Sequence, residues 1–347
     1  PMISEIWDWL RSNPGSYYFA PGETPPWTKN AATYPIYLNP ILSTESAEQL
    51  GSICLFLDRL YFIETVKDLG PALQVLAAQI ATALHQAEVH AQTLAHQKTV
   101  QELEFAWQIQ ASFLPDRLPQ LEGWQLAATL KPCQETSGDF YDVISLPNGR
   151  LGILIADVAD KGMGAALFMA LSRTLIRTYA FEHQTRPDLV LQSTNQRILI
   201  DTRNNMFVTV FYGIIDPNSG RLTYANAGHN PPFLFKAQSL DKTTESIKPQ
   251  GLRNTGMPLG ILEEATWEAK SVDLDHGDTL IMYTDGVTEA QNLQNDFFGD
   301  HRLLAATQDN LSAPVLAIQD AVLAAVDRFS DAGAPCDDQT LVIVKRH

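Results

Sequence analysis

Cysteine and basic residues are scarce in this 347-residue chain, and long apolar runs are absent. Its three cysteines, Cys54, Cys133 and Cys336, lie far apart and are odd in number, which is unlike a disulfide framework and typical of a reducing compartment. They also lack neighbours at the spacing of a zinc site. No run of about 18 apolar residues predicts a membrane span, and no charged, apolar leader precedes a cleavage site. We therefore expect a cytoplasmic protein without membrane contact.

Positive charge is also in short supply, since 24 lysines and arginines stand against 40 acidic residues, for a net charge of -16. Such a surface repels nucleic acid, and no basic stripe with interleaved aromatic residues offsets the repulsion. The pair Lys161 and Gly162 suggests a phosphate-binding loop, but the Gly-x-x-x-x-Gly-Lys-Ser/Thr spacing is missing. These absences exclude a nucleic-acid partner and argue against a P-loop nucleotide enzyme.

The N-terminal region begins with aromatic residues and prolines. Its pattern predicts a helix over Ile3–Arg11, irregular structure to about residue 45 and a strand over Leu50–Leu57. From Pro71 the pattern changes to a long helix that Pro115 ends. Apolar residues follow a 3-4 spacing in a first seam and continue in a second stripe: Ala77, Ile80, Leu84, Ala87, Ala91 and Leu94, then Val100, Leu103, Trp107, Gln110 and Leu114. The seam is either a parallel dimeric coiled coil or a helix that covers its own domain.

After Pro119 the chain changes to short strands joined by turns, with the helices in blocks. This order predicts antiparallel sheets with helices outside, an α+β sandwich of αββα type. We expect strands over Trp124–Lys131, Asp139–Ser145, Leu151–Ala156, Phe207–Ile215, Arg221–Asn226, Phe233–Lys236, Trp267–Val272, Thr279–Thr284 and Leu341–Lys345, and helices over Met163–Phe181, Pro187–Ile200 and Ala313–Phe329.

Five short stretches carry the chemistry: SGDFYD, ADVADKG, NAGHNPP, YTDGVTEA and CDDQT. In three of them aspartates border an apolar strand, which fixes their carboxylates at the rim of a sheet. Several such rims make an oxygen-rich site for Mg²⁺ or Mn²⁺. Any single Asp is more commonly a turn former or a helix cap. Asp139 and Asp142 alternate along a strand, so only one of the two can reach a given site.

These stretches, with GMPLGI at Gly256–Ile261, resemble the PPM (protein phosphatase 2C-like) metal-dependent Ser/Thr phosphatases, in the bacterial SpoIIE-like branch, from about Gln101 to the C-terminus. The resemblance implies a catalytic trio, Asp139, Asp157 and Asp285. It further implies two or more Mn²⁺ or Mg²⁺ ions held by Asp139, Asp157, the Val158 carbonyl, Asp285, Asp337 and Asp338, with Asp337 favoured over Asp338. Ser137 stands where glycine is common in the family, and Asp160 where glycine or a small residue is usual.

The resemblance implies hydrolysis of a phosphomonoester by metal-activated water without a covalent intermediate. His229 is a candidate general acid, although a buried structural histidine after a strand is the commoner case. No arginine matches the phosphate-holding arginine of eukaryotic relatives. The implied substrate is a phosphorylated STAS-domain anti-anti-sigma-factor-like protein. Alternatives are a small-molecule phosphohydrolase and a non-catalytic partner-binding module.

The N-terminal region resembles part of a GAF sensor domain, in the Leu50–Leu57 strand and the helix after Asp68. We therefore expect a partial GAF-like region at residues 1–95, a helical linker at 96–114 continuing a helix from about residue 71, and a phosphatase domain at 115–347. The linker helix is expected to form a homodimer and to connect a sensor to the enzyme.

Overall fold

The fold is that of a computed structural model of the chain. The structure describes residues 2–13, 15–32, 36–43, 49–56, 63–115, 117–133, 136–201, 206–237, 249–330 and 337–347. The chain divides into two compact units, Pro1–Thr99 and Val100–His347. None of the helices formed by the described residues is both long and apolar enough to cross a bilayer.

The N-terminal unit contains a short helix and an antiparallel sheet of three strands in the order β1-β2-β3. Its first elements are α1 (Met2–Ser12), β1 (Tyr17–Phe19), β2 (Ile36–Leu42) and β3 (Gln49–Phe56). Their core includes Leu10 and Leu38, which are fully buried. The sequence predicts α1 and β3 correctly, but β1 and β2 lie where irregular structure was expected. The GAF-like assignment of this unit stays a prediction.

Helix α2 runs from Ile63 to Ala111 with Pro71 inside it. The expected start at Pro71 is therefore wrong, because an interior proline removes one backbone hydrogen bond and strains the preceding turn without forbidding a helix. The first part of the seam packs on its own unit, since Ala77 is buried in one cluster with Ile41 and the partly buried Ile80 packs against that cluster. Further along the same helix, the seam residues are exposed: Leu84 at 50% and Leu94 at 51%.

The C-terminal unit contains two five-stranded antiparallel sheets, ordered β10-β9-β12-β13-β4 and β11-β8-β7-β6-β5. Its strands are β4 (Trp124–Lys131), β5 (Phe140–Ser145), β6 (Leu151–Val158), β7 (Val208–Asp216), β8 (Arg221–Ala227), β9 (Phe233–Phe235), β10 (Gln250–Gly251), β11 (Lys270–Asp273), β12 (Thr279–Tyr283) and β13 (Gln339–Arg346). Its helices are α3 (Met163–Glu182), α4 (Pro187–Asp201), α5 (Asp285–Thr288), α6 (Gly299–Gln308) and α7 (Val315–Phe329). The sequence misses β10, α5 and α6.

Strand alternation sorts the core of this unit into layers. Ile153 on β6 packs with Met282 on β12 in the cluster between the two sheets. Its neighbour Leu154 points to the opposite face and packs with Met169 of α3. On the outer face of the other sheet, α6 and α7 cover β12 and β13, with Val322 fully buried. This helix–sheet–sheet–helix order confirms the predicted αββα sandwich.

The sequence predicts that the cysteines form no disulfide, and this prediction is wrong for one of them. Cys133, which follows β4, is disulfide-bonded, whereas Cys54 is a free thiol. Wide spacing along a sequence does not fix the distance between two cysteines in the folded chain, so spacing alone was not sufficient to predict that Cys133 is unpaired.

Candidate metal centre

The acidic stretches meet at one edge of the sandwich, and each sheet contributes two of them. In the first pair, Phe140 lies opposite Ala156, so the antiparallel ladder brings Asp139 beside Asp157. In the second pair, Tyr283 lies opposite Leu341, which brings the residues after β12 beside those before β13. The structure therefore gathers Asp139, Asp157, Asp285, Asp337 and Asp338 in one region. Cys336, the first residue of the last stretch, lies outside the described residues.

Asp139 links the two sheets through hydrogen bonds. Its Oδ2 accepts one bond from the Thr284 hydroxyl and one from the Thr340 hydroxyl, each at 2.6 Å. Burial raises the pKa of Asp139 well above its ordinary value, and the negative charge of Asp157 raises it further, while the two hydroxyls act in the opposite direction. Sequence reasoning missed both threonines, although each lies within two residues of a motif aspartate.

Burial and neighbouring carboxylates also raise the pKa of Asp157 and of Asp285. Burial, followed by the charges of Asp285 and Asp337, raises the pKa of Asp157 to about 7. Burial and then Asp337 raise the pKa of Asp285. Carboxylates that are desolvated and repel one another favour either a proton or a bound cation. This is the electrostatic arrangement expected of a site for a hard divalent cation.

Asp338 and Asp337 differ in their exposure and in the groups that their carboxylate oxygens contact. Asp338 is 8% exposed, and its two oxygens accept the backbone N–H groups of Cys133 at 2.8 Å and Gly138 at 3.0 Å. The side chain of Asp337 is 44% exposed and pairs with the Lys161 ammonium at 2.9 Å. Asp338 is thus occupied in holding the loop before β5, whereas Asp337 faces the opening of the site.

Further oxygen atoms lie close to Gly138. A Cβ at this position would lie 3.0 Å from the Val158 carbonyl oxygen, 3.5 Å from that of Asp160 and 3.7 Å from Asp157 Oδ1. Carbonyl and carboxylate oxygens in this combination are the donors that Mg²⁺ and Mn²⁺ prefer. The residues therefore fit a divalent cation by donor type. Among the described residues, however, no three His, Cys, Asp or Glu side chains are arranged to hold an ion as they stand.

Lys161 brings a positive charge to this opening. It follows Asp160, whose φ of 87° lies in the region that favours glycine and whose Oδ1 accepts the Lys161 N–H at 2.8 Å. That bond explains how an aspartate occupies a position where glycine or a small residue is usual. Lys161 lies on the loop between β6 and α3, and its side chain is half-exposed.

Asp142, the second aspartate of the first motif, does not belong to the carboxylate cluster. Asp142 is fully buried on the opposite face of β5 and pairs with Arg173 at 2.9 Å and Arg177 at 2.8 Å, so it ties α3 to the sheet. This agrees with the alternation of Asp139 and Asp142 along the strand.

His229 is a buried structural residue. Its Nε2 lies 3.1 Å from the Tyr283 carbonyl oxygen, which can only accept, so Nε2 carries the hydrogen and Nδ1 accepts from the Thr209 hydroxyl at 2.9 Å. Burial lowers the pKa of His229 to about 4. Since both ring nitrogens are engaged and the ring stays neutral, the geometry favours the structural alternative over a general acid.

Comparison with known proteins finds relatives in sequence and in fold. Protein IcfG of Synechocystis sp. is 36% identical over 274 residues, which is 71% of this chain and 42% of that protein. Phosphoserine phosphatase RsbU of Bacillus subtilis is 27% identical over 250 residues, covering 72% of this chain and 71% of RsbU. The solved SiaA-PP2C domain of Pseudomonas aeruginosa matches with a TM-score of 0.61 and 23% identity, over 73% of this chain and 98% of that domain.

The two helix-flanked antiparallel sheets define a domain of the PP2C fold. Residues 147–347, more than half of the chain, match the family described as Stage II sporulation protein E (SpoIIE). The chain belongs to the SpoIIE family. It spans less than half the length of IcfG, the relative with 36% identity.

Proposed function

We propose that this protein is a metal-dependent protein serine/threonine phosphatase. The observation that carries the proposal is the convergence of Asp139, Asp157, Asp285 and Asp337 from two sheets onto one edge, where burial and mutual repulsion raise the pKa of the first three. Family membership supports it, and so does the similarity to RsbU, which is a phosphoserine phosphatase.

The proposed site residues have separate duties. Asp139, Asp157, Asp285 and Asp337 would hold two or more Mn²⁺ or Mg²⁺ ions together with the Val158 carbonyl. When bound, such ions activate water and offset the charge of a phosphoryl group. Thr284 and Thr340 fix the Asp139 carboxylate by binding one of its oxygens, which leaves the other for a metal. Asp338, first expected as a ligand, acts in this proposal as the support of the Gly138 loop.

Lys161 is our candidate for the group that orients the phosphate. It lies at the opening of the site and its ammonium already pairs with a carboxylate there. If Asp337 serves as a metal ligand, the Lys161 ammonium beside it is in a position to donate to a phosphoryl oxygen. A lysine serves this purpose as a flexible point charge.

The proposed substrate is a phosphoserine or phosphothreonine on a bacterial signalling protein with a STAS domain. The half-exposed positions of Lys161 and Asp337 support a substrate whose phosphate projects from a protein surface. A small-molecule phosphatase would instead favour an enclosed pocket that surrounds most of its ligand.

The proposal is tested by measuring Mn²⁺-dependent phosphate release from p-nitrophenyl phosphate and from a phosphoserine-bearing STAS-domain protein. We expect turnover by the full chain, none with EDTA, and a loss of at least about a hundredfold for Asp157→Asn and for Asp285→Asn. Asp320→Asn, an exposed position on α7, is the matched control and should retain activity.

Each alternative has its own outcome. Efficient turnover of small phosphate esters combined with indifference to the phosphoprotein would indicate a small-molecule enzyme. Tight binding of the phosphoprotein without any phosphate release, in the presence of Mn²⁺, would indicate a non-catalytic partner-binding module. Either result overturns the proposed activity.

A further inference from the structure

A buried glutamine lies at the end of helix α2, in a stripe otherwise made mostly of apolar residues. Gln110 is 3% exposed, while its stripe neighbours Trp107 and Leu114 are half-buried. Burying an amide is unfavourable unless both its donor and its acceptor find partners. A glutamine in this position therefore calls for a specific explanation, which its hydrogen bonds supply.

Both ends of the Gln110 amide bind the backbone of a single residue. Its Nε2 donates to the Ser137 carbonyl oxygen, and its Oε1 accepts the Ser137 N–H at 3.2 Å. Ser137 is itself buried. Two antiparallel hydrogen bonds to one residue fix the orientation of the peptide planes on either side of it, much as a neighbouring strand would.

Hydrogen bonds connect Ser137 and its neighbours to the carboxylate cluster. The Asp139 N–H donates to Ser137 Oγ at 3.1 Å, and the Gly138 carbonyl accepts the Val158 N–H at 3.3 Å. The same segment carries Asp139, whose carboxylate holds Thr284 and Thr340. Gln110 is thus the contact by which the end of α2 holds the segment that positions Asp139 and faces the Val158 carbonyl.

We propose that Gln110 is a positioning residue for the metal centre, and that it sets the affinity for the divalent cation through the Ser137–Asp139 segment. The inference rests on the proposed function, because it takes Asp139 and the Val158 carbonyl as ligands. Residues that orient metal ligands from the next layer commonly change metal affinity by about 10- to 100-fold when they are replaced. Gln110 and the whole segment belong to the same compact unit, Val100–His347.

The test compares Gln110→Met with the full wild-type chain. Methionine has a similar length and shape but makes neither hydrogen bond, so it leaves the Ser137 backbone unpaired. We expect the Mn²⁺ dissociation constant, measured by isothermal titration calorimetry, to rise at least tenfold. At saturating Mn²⁺ the kcat should recover to within a fewfold of the wild-type value, with KM for the phosphoprotein little changed.

The matched control is Gln108→Met, an exposed position two residues earlier on α2. It should leave the Mn²⁺ dissociation constant unchanged. Gln110→Glu provides a second variant if Gln110→Met fails to fold, because it keeps an acceptor for the Ser137 N–H, while it replaces the donor with a carboxylate oxygen that cannot bond to the Ser137 carbonyl. It is expected to weaken Mn²⁺ binding as well.

The outcomes separate this inference from the proposed activity. A Gln110 variant that lowers the melting temperature but binds Mn²⁺ as tightly as the wild type would overturn the inference and leave the phosphatase proposal intact. A wild-type chain that binds Mn²⁺ without releasing phosphate would overturn the proposed activity, yet the tenfold loss of binding in Gln110→Met would still support the positioning role. A wild-type chain that binds no divalent cation overturns both.

Discussion

At the scale of single residues, Lys161 distinguishes this site from one built only of carboxylates. Its ammonium is 2.9 Å from Asp337 Oδ1, and both side chains are about half-exposed. We expect Lys161→Met to raise KM for the phosphoprotein about tenfold, since one charge-assisted contact to phosphate is lost. The affinity for Mn²⁺ should not fall, because the substitution removes a competing cation. Steady-state kinetics with a parallel calorimetric titration measures both.

Lys270→Met, on the edge strand β11, is the control for loss of one positive charge. It should leave KM unchanged. A Lys161→Met variant with wild-type KM would show that another group orients the phosphate.

His229 makes the stability of the fold depend on pH. Its pKa is lowered from 6.5 to about 4 in the folded chain, so its contribution is complete above pH 6.5 and is lost as the pH falls toward 4. From pH 7.5 to pH 5 this amounts to about 2 kcal/mol of unfolding free energy. We expect His229→Gln to be less stable than wild type at pH 7.5, with the difference between the two shrinking at pH 5. Urea unfolding in EDTA at the two pH values measures it.

The comparison with a variant is needed because the buried carboxylates respond to acid in the opposite direction. His301→Gln, at an exposed position on α6, serves as the control and should keep the same offset from wild type at both pH values. If the gap between His229→Gln and wild type stays constant from pH 7.5 to pH 5, the ring is not held neutral by burial.

At the scale of elements, the ends of β12 and β13 approach so closely that only glycine fits between them. A Cβ on Gly286 would lie 2.1 Å from the Asp338 carbonyl oxygen, a distance at which the backbone must move. Gly286→Ala should therefore displace Asp285 or the residues before β13 and weaken Mn²⁺ binding by at least about tenfold. Calorimetric titration with Mn²⁺ measures the change.

Gly164→Ala is the matched control, because its nearest neighbour would be Met206 Sδ at 4.0 Å and the residue lies within helix α3. Alanine in a helix is favoured over glycine by about 1 kcal/mol, so this variant should bind metal normally and be no less stable. Normal Mn²⁺ affinity in Gly286→Ala would mean that the two strand ends can separate without disturbing the site.

The elements of the C-terminal unit were largely predictable because their strands are strongly apolar and end at turns. Strand β2 was not, since Pro40 lies in the middle of it. The structure shows why a proline is tolerated there: β1 pairs only with residues 36–38 of β2, so Pro40 faces no partner on that side. How many residues of β2 pair with β1 depends on the tertiary fold and cannot be predicted from the residues around Pro40.

The aspartates of the candidate site were predictable from the sequence, but their contacts were not. The motifs identify the aspartates as candidate ligands. They do not predict which group each carboxylate oxygen contacts. Asp338 bonds to the loop before β5, and Gln110 reaches Ser137 across 27 positions of sequence. Neither contact follows from periodicity, because each joins elements whose proximity only the folded chain establishes.

At the scale of the whole molecule, helix α2 is the element that residues of both units share. Its Ala77 and Ala81 are buried against the N-terminal sheet, whereas Leu84 and Leu94 of the predicted seam are half-exposed. Apolar residues at 3-4 spacing on an exposed helix face favour pairing with a second copy. We expect the full chain to be a dimer at micromolar concentration in sedimentation equilibrium, and the double variant Leu84→Glu with Leu94→Glu to be monomeric.

The control for added charge is Gln86→Glu with Gln97→Glu, which places the same two carboxylates on exposed positions outside the seam. This variant should remain dimeric, since only residues in the seam lose apolar contact on dissociation. If wild type and both double variants sediment as monomers, the seam does not pair, and an amphipathic helix with a partly exposed apolar face becomes the correct description. If the seam variant is monomeric yet keeps the Mn²⁺ affinity of wild type, then pairing of α2 and the Gln110 contact act independently on the metal centre.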